Sequence, residues 1–301
     1  HSLNLSHTLV IDVSMLGNIH SLNLSHTKVS DASMLGNIHT LDLSHTLVID
    51  VSALGNVHTL DLSYTQMAYM CTSPNVSALG NVYKLNLHCV GQTNDIYCFC
   101  VVQPLDVSAL GKVHTLDLSN TKTIDVSALG GVHTLDLSDT EVIDVSALGG
   151  VNTLDLSDTK VTDVSALGNV RILNLSFTQV YDVSSLKNVY NLNLQASRLN
   201  EDTDLSALAN IHTLNLSFTE VSDVNILRSV YDLNLSHTNI RNEDIDTLGS
   251  VHILNLSNCF YITDVSTLGT VYNLDIDGTY VKDISALNNV SILNFTPYDK
   301  Y

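Results

Sequence analysis

Val48-Ile49-Asp50-Val51-Ser52-Ala53-Leu54-Gly55, followed by Val57-His58-Thr59-Leu60-Asp61-Leu62-Ser63, is the stretch whose reading decides the fold. In its second half apolar and polar residues alternate with the period of a half-buried strand. Leu60 and Leu62 then point inward, while Thr59, Asp61 and Ser63 face out. In the first half Asp50 is placed to cap a helical or 3₁₀ turn, and Gly55 to end it by taking a positive φ. Val48, Val51, Leu54, Val57, Leu60 and Leu62 all require an interior, which this short unit cannot supply by itself.

The pattern returns along the chain. Leu-x-Leu pairs fall at Leu3/Leu5, Leu22/Leu24, Leu41/Leu43 and Leu60/Leu62, and continue to Leu274/Ile276 and Leu293/Phe295. They make about fifteen copies, most commonly 19 residues apart, with wider spacings of 25 and 31 in the middle and 22, 21 and 20 later. Such copies bury their apolar positions only by stacking on one another. At ~1.5–3 kcal/mol per fully buried aliphatic side chain, that stacking outweighs any surface contribution. The expected fold is an α/β solenoid: a curved right-handed coil with a parallel β-sheet on its concave face and short helical or 3₁₀ turns on the convex face. It is read as one domain over residues 1–301, with insertions near 67–75 and 89–104.

These residues resemble the leucine-rich-repeat superfamily. The Leu-x-Leu strand and the Asp-Val-Ser-x-Leu turn, as in Asp125-Val126-Ser127-Ala128-Leu129, are most similar to the short-helix branch that includes bacterial internalins and SDS22-like proteins. The near-identity of the copies also resembles repeat arrays of some large DNA viruses and protists. Two features depart from the pattern. The unit has 19 residues where internalin units have 22, and Thr46, Thr65, Thr121, Thr140, Thr159 and Thr219 replace the usual Asn after the strand. A Thr hydroxyl there can bond the backbone at the bend, as Asn does. The resemblance implies a fold and leaves function open.

Composition narrows the partner. The 12 Lys and Arg stand against 31 Asp and Glu, for a formal charge of −19 among 301 residues. So acidic a surface repels phosphate backbones and lipid headgroups, which argues against nucleic-acid or membrane-surface binding and for basic partners or cations. No apolar run reaches the ~18 residues of a spanning helix. No phosphate-cradling glycine loop, HExxH or Gly-x-Ser-x-Gly occurs, and Ser, His and Asp recur as columns where a converging triad would be needed. A non-enzymatic protein-binding scaffold without a cofactor, using the concave face and the inserted loops, is expected. The rival reading is an array joined end to end through uncapped terminal repeats.

The outward strand positions form columns. Stacked Asn of the middle column can satisfy each other as an amide ladder; stacked Asp cannot, and raise one another's pKa. Asp117, Asp136 and Asp155, with Asp139 and Asp158 three residues after the last two, are the candidate patch for a basic partner or a cation, set against a merely solvated acidic stripe. His1, His20, His39 and His58 form one flanking column and His7, His26 and His45 another. Each is either a pH- or metal-sensitive edge or a tolerated residue duplicated with the repeat, since Tyr83, Tyr190, Tyr231 and Tyr272 replace His without evident compensation. Phe177 and Phe218, near the strand exit, are candidate contact aromatics or pack on neighbouring bends. Cys71, Cys89, Cys98 and Cys100 cluster in the inserted region, where disulfides, a zinc site and free thiols all remain open.

Overall fold

The computed structural model describes residues 1–65, 74–90 and 104–296. The chain forms two compact units, His1–Thr159 and Lys160–Tyr301. In the first, strands β1 (Ser2–Asn4), β2 (Ser21–Asn23), β3 (Thr40–Asp42), β4 (Thr59–Asp61), β5 (Lys84–Asn86), β6 (Thr115–Asp117), β7 (Thr134–Asp136) and β8 (Thr153–Asp155) pair in parallel in chain order. In the second, β9 (Ile172–Asn174), β10 (Asn191–Asn193), β11 (Thr213–Asn215), β12 (Asp232–Asn234), β13 (Ile253–Asn255), β14 (Asn273–Asp275) and β15 (Ile292–Asn294) do the same. Like residues face like residues: Leu22 lies beside Leu41 and Leu41 beside Leu60. This is the solenoid of parallel strands that the repeat requires.

Each strand is only three residues long, yet its ladder extends past both ends. Thr59 N–H donates to the His39 carbonyl at 2.9 Å and Leu62 N–H to the Asn86 carbonyl at 2.9 Å. The inward set is as expected, since none of Val48, Val51, Leu54, Val57, Leu60 and Leu62 is more than 1% exposed. Opposite the strands the chain makes turns or short 3₁₀ segments such as Ser77–Asn81, Leu148–Gly150 and Ser165–Leu167. The aspartate before each turn accepts the N–H two residues on, as from Asp50 to Ser52 at 2.9 Å and Asp125 to Ser127 at 2.9 Å. Those bonds hold these exposed carboxyls below the usual aspartate range.

Gly55 is a correction. Its φ is not positive; among the described glycines only Gly278 is left-handed. Gly55 is instead required by proximity, because a Cβ there would collide with the Ala78 carbonyl oxygen of the next coil. The left-handed residue sits elsewhere, just after the strand and before the buried Thr. His45 (φ 55), Tyr64 (φ 54), Asp139 (φ 56) and Phe177 (φ 58) occupy this slot in four of the coils. The conformation reverses the chain while its N–H stays in the ladder, as from His45 to the Ser63 carbonyl at 2.9 Å. Thr then closes the bend as expected: Thr46 donates to the Leu43 carbonyl and Thr140 to the Leu137 carbonyl, each at 2.6 Å.

Candidate functional site

In the first unit, the register places Asp117, Asp136 and Asp155 on consecutive rungs of the outward face. Each is half-buried, and each turns Oδ1 onto the serine two residues on. Ser119, Ser138 and Ser157 donate their N–H at 2.8–2.9 Å and their hydroxyl at 2.6–2.7 Å. The serines thus fix the carboxylates in place. Burial is the main force that raises the Asp136 pKa; Ser138 opposes it, and Asp117 and Asp155 add to the rise. Asp139 and Asp158 occupy the left-handed slot beside this column. Asp158 is likewise raised, by burial first and then by Asp139 and Asp155. The structure therefore brings the predicted carboxylates together. Among the described residues no three His, Cys, Asp or Glu side chains are grouped so as to hold a metal ion.

The amide-ladder expectation needs correction. Asn23 Oδ1 accepts the Ser25 N–H and hydroxyl, both at 2.8 Å, although Asn4 is its partner in register. The amide nitrogen serves the carboxylates: Asn86 donates to Asp61 Oδ2 at 3.1 Å and Asn294 to Asp275 Oδ2 at 3.0 Å.

Successive rings within each column stack on one another. On the side that enters the strand, His20, His39, His58, Tyr83, His114 and His133 stack at centroid distances of 4.4–4.8 Å. On the exit side His7, His26, His45 and Tyr64 stack at 4.1–4.5 Å. The second unit has its own entry column, with Arg171 over Tyr190 at 5.0 Å and Tyr190, His212, Tyr231, His252 and Tyr272 following at 4.5–4.8 Å. The tyrosines are thus compensated replacements, each continuing a face-to-face stack. The exit-side residues also have a backbone reason: His, Asp and Asn are the non-glycine residues that best tolerate left-handed φ.

Phe177 and Phe218 share that left-handed slot in the second unit and remain half-exposed, at 49% and 51%. Phe218 stacks on His237 at 4.1 Å, whereas small Ala196 fills the slot between the two phenylalanines. Of the four clustered cysteines, Cys71, Cys98 and Cys100 lie outside the described residues, as does most of the two insertions. Cys89 is a buried free thiol. Its Sγ lies 3.1 Å from His88 Nε2 and accepts the Asn120 amide at 3.0 Å, and Tyr64 Oη lies 2.9 Å from the same His88 Nε2. His88 Nδ1 lies 2.7 Å from Ser119 Oγ, whose proton goes to Asp117. Nδ1 therefore donates and Nε2 accepts. This cluster ties together the coils on either side of both insertions. The sequence offered no signal for it beyond an irregular His-Cys pair at the exit slot.

No family model matches the chain, and no curated protein matches it. Solved structures do. An internalin of Listeria monocytogenes aligns with 100% of this chain and 87% of its own, at 20% identity and a TM-score of 0.66. A leucine-rich-repeat protein of Leptospira interrogans aligns over 99% and 85%, at 20% identity and a TM-score of 0.74. The mouse RP105/MD-1 complex matches over 95% of this chain and 51% of the other, at 18% identity and a TM-score of 0.62. At such identities the likeness is one of fold: the chain has the leucine-rich-repeat fold.

Proposed function

We propose that this leucine-rich-repeat chain is a non-enzymatic recognition scaffold whose outward sheet face holds a basic protein segment. The observation that carries this reading is the column Asp117, Asp136 and Asp155, with Asp139 and Asp158 beside it. Its carboxylates are fixed by serine and half-buried along the strands, and burial, with a smaller push from Asp117 and Asp155, makes Asp136 reluctant to ionise. A lysine or arginine side chain laid along the column relieves that push and gains charge-assisted hydrogen bonds. The fold also occurs in the mouse RP105/MD-1 complex. The charge of −19 favours basic partners over nucleic acid or anionic lipid. Among the described residues no helix is long and apolar enough to cross a membrane. Phe177 and Phe218 supply exposed rings in the second unit as a separate contact.

The test is the affinity of a lysine-rich peptide for the full chain. Joint Asp117→Asn, Asp136→Asn and Asp155→Asn substitution is expected to weaken it at least about tenfold, or ~1.4 kcal/mol. Joint substitution of Asp50, Asp125 and Asp144, on the opposite turns, is expected to leave it within about twofold. Equal losses for the two sets would reduce the column to bulk charge and reject the reading.

A further inference from the structure

In the first unit the outward carboxylates run between two ring stacks on β3 and β4, and beside the entry stack alone on β6 and β7, where Asn120 and Asp139 hold the exit slot. The first two strands are each entered through one ring position and left through the other, with the outward Asp between them: His39, Asp42, His45 on β3 and His58, Asp61, Tyr64 on β4. On β6 and β7 the entry rings are His114 and His133, beside Asp117 and Asp136. Most of these imidazoles are exposed, so protons reach them from solvent. We infer that the two stacks form an acid-release device, in which protonating the imidazoles cancels the negative face and expels a basic partner. The inference rests on the recognition reading above.

The geometry sets the sign. Rings 4.1–4.8 Å apart cannot all charge without repelling their neighbours. His45 shows the balance. Burial lowers its pKa most, His26 and His7 push the same way, and Asp61 and Asp42 oppose them. The groups facing the stacks are Asp42, Asp61, Asp117 and Asp136 from the strands, Asp139 at the exit slot, Tyr64 and Tyr83 within the stacks, and Lys84 in the row between Thr59 and Thr115. Above the histidine range the carboxylates dominate. Protonation in acid adds positive charge to the stacks beside these carboxylates. A bound cation disfavours that same protonation, so binding and proton uptake oppose each other by linkage.

The experiment measures the affinity of a decalysine peptide for the full chain at pH 7.5 and 5.5, at one ionic strength, with circular dichroism confirming the fold at each pH. The second protein carries His20, His39, His58, His114 and His133→Gln with His7, His26 and His45→Asn, asparagine being tolerated at left-handed φ. Wild type is expected to lose at least about tenfold on acidification, and the variant less than about threefold. An equal loss in both overturns the device and leaves the recognition reading standing, because the loss would then come from groups other than these imidazoles. No binding at pH 7.5 by either protein rejects the recognition reading itself, and the device with it. Should the variant not fold, calorimetry of wild type near pH 6 in two buffers of different ionisation enthalpy decides. Release of more than one proton per bound peptide supports the device, and release of one or none overturns it.

Discussion

A single threonine shows how each residue in the repeat acquires its weight. Thr140 is buried, and its hydroxyl closes the bend on the Leu137 carbonyl. Thr140→Val deprives that carbonyl of its donor and should cost about 0.5–1.5 kcal/mol. Thr65 holds the same slot and is wholly buried, yet among the described residues its hydroxyl has no partner. A hydroxyl buried without a bond is itself a cost, so Thr65→Val should be neutral or slightly stabilising. Urea denaturation of the two variants checks this, and similar losses would contradict it. The next residue type to consider is the one before Thr, held near φ +55° in coil after coil. Histidine, aspartate and asparagine recur there because the backbone asks for residues that enter the left-handed region at low cost. Tyr64, Phe177 and Phe218 enter it less readily; Tyr64 and Phe218 regain contact by stacking on His45 and His237.

At the scale of the element, the coil is fixed as much by what it lacks as by its leucines. Gly17, Gly36, Gly55, Gly80 and Gly111 each lie where a Cβ would strike the carbonyl oxygen of the next coil. Gly55→Ala should therefore destabilise by about 1–3 kcal/mol through overpacking. Ala209, in the matching position of the second unit, already accommodates its Cβ, and Ala209→Gly should cost only about 0.5–1 kcal/mol through backbone entropy. Thermal melts of both variants test the contrast, and a harmless Gly55→Ala would show that the coils can separate at that point. The strands are equally economical. Three residues of ladder suffice because every coil repeats the same pairing with its neighbour, and the leucines beneath supply the energy.

At the scale of the whole molecule, the carboxylates fall into two classes of opposite pH dependence. Those before the turns, such as Asp50, Asp125 and Asp144, have lowered pKa values through serine hydrogen bonds. Their stabilisation is present above the unfolded aspartate pKa near 3.8 and is lost as pH falls through their lower folded values. Asp136 has a raised value, so its contribution is favourable below 3.8 and is lost as pH rises through its folded pKa. The melting temperature should accordingly fall between pH 5 and pH 3. Asp136→Asn should raise it at pH 7 and leave it nearly unchanged at pH 3; a variant that melts lower at pH 7 would contradict the assignment. The proposed recognition surface belongs to this same scale, because a column of charge exists only when several coils are in register.

The unit length, the inward set from Val48 to Leu62, and the columns of Asp and His were all legible in the sequence, since each follows from a period read along the chain. The sequence could not reach the glycine contacts, the tyrosines completing the histidine stacks, the cluster around Cys89, or the diversion of asparagine oxygens to serine. Those depend on distances between atoms in different coils, or on the path of the backbone at the bend. Such distances are set only when the apolar faces close on one another, and a one-dimensional period carries no record of them.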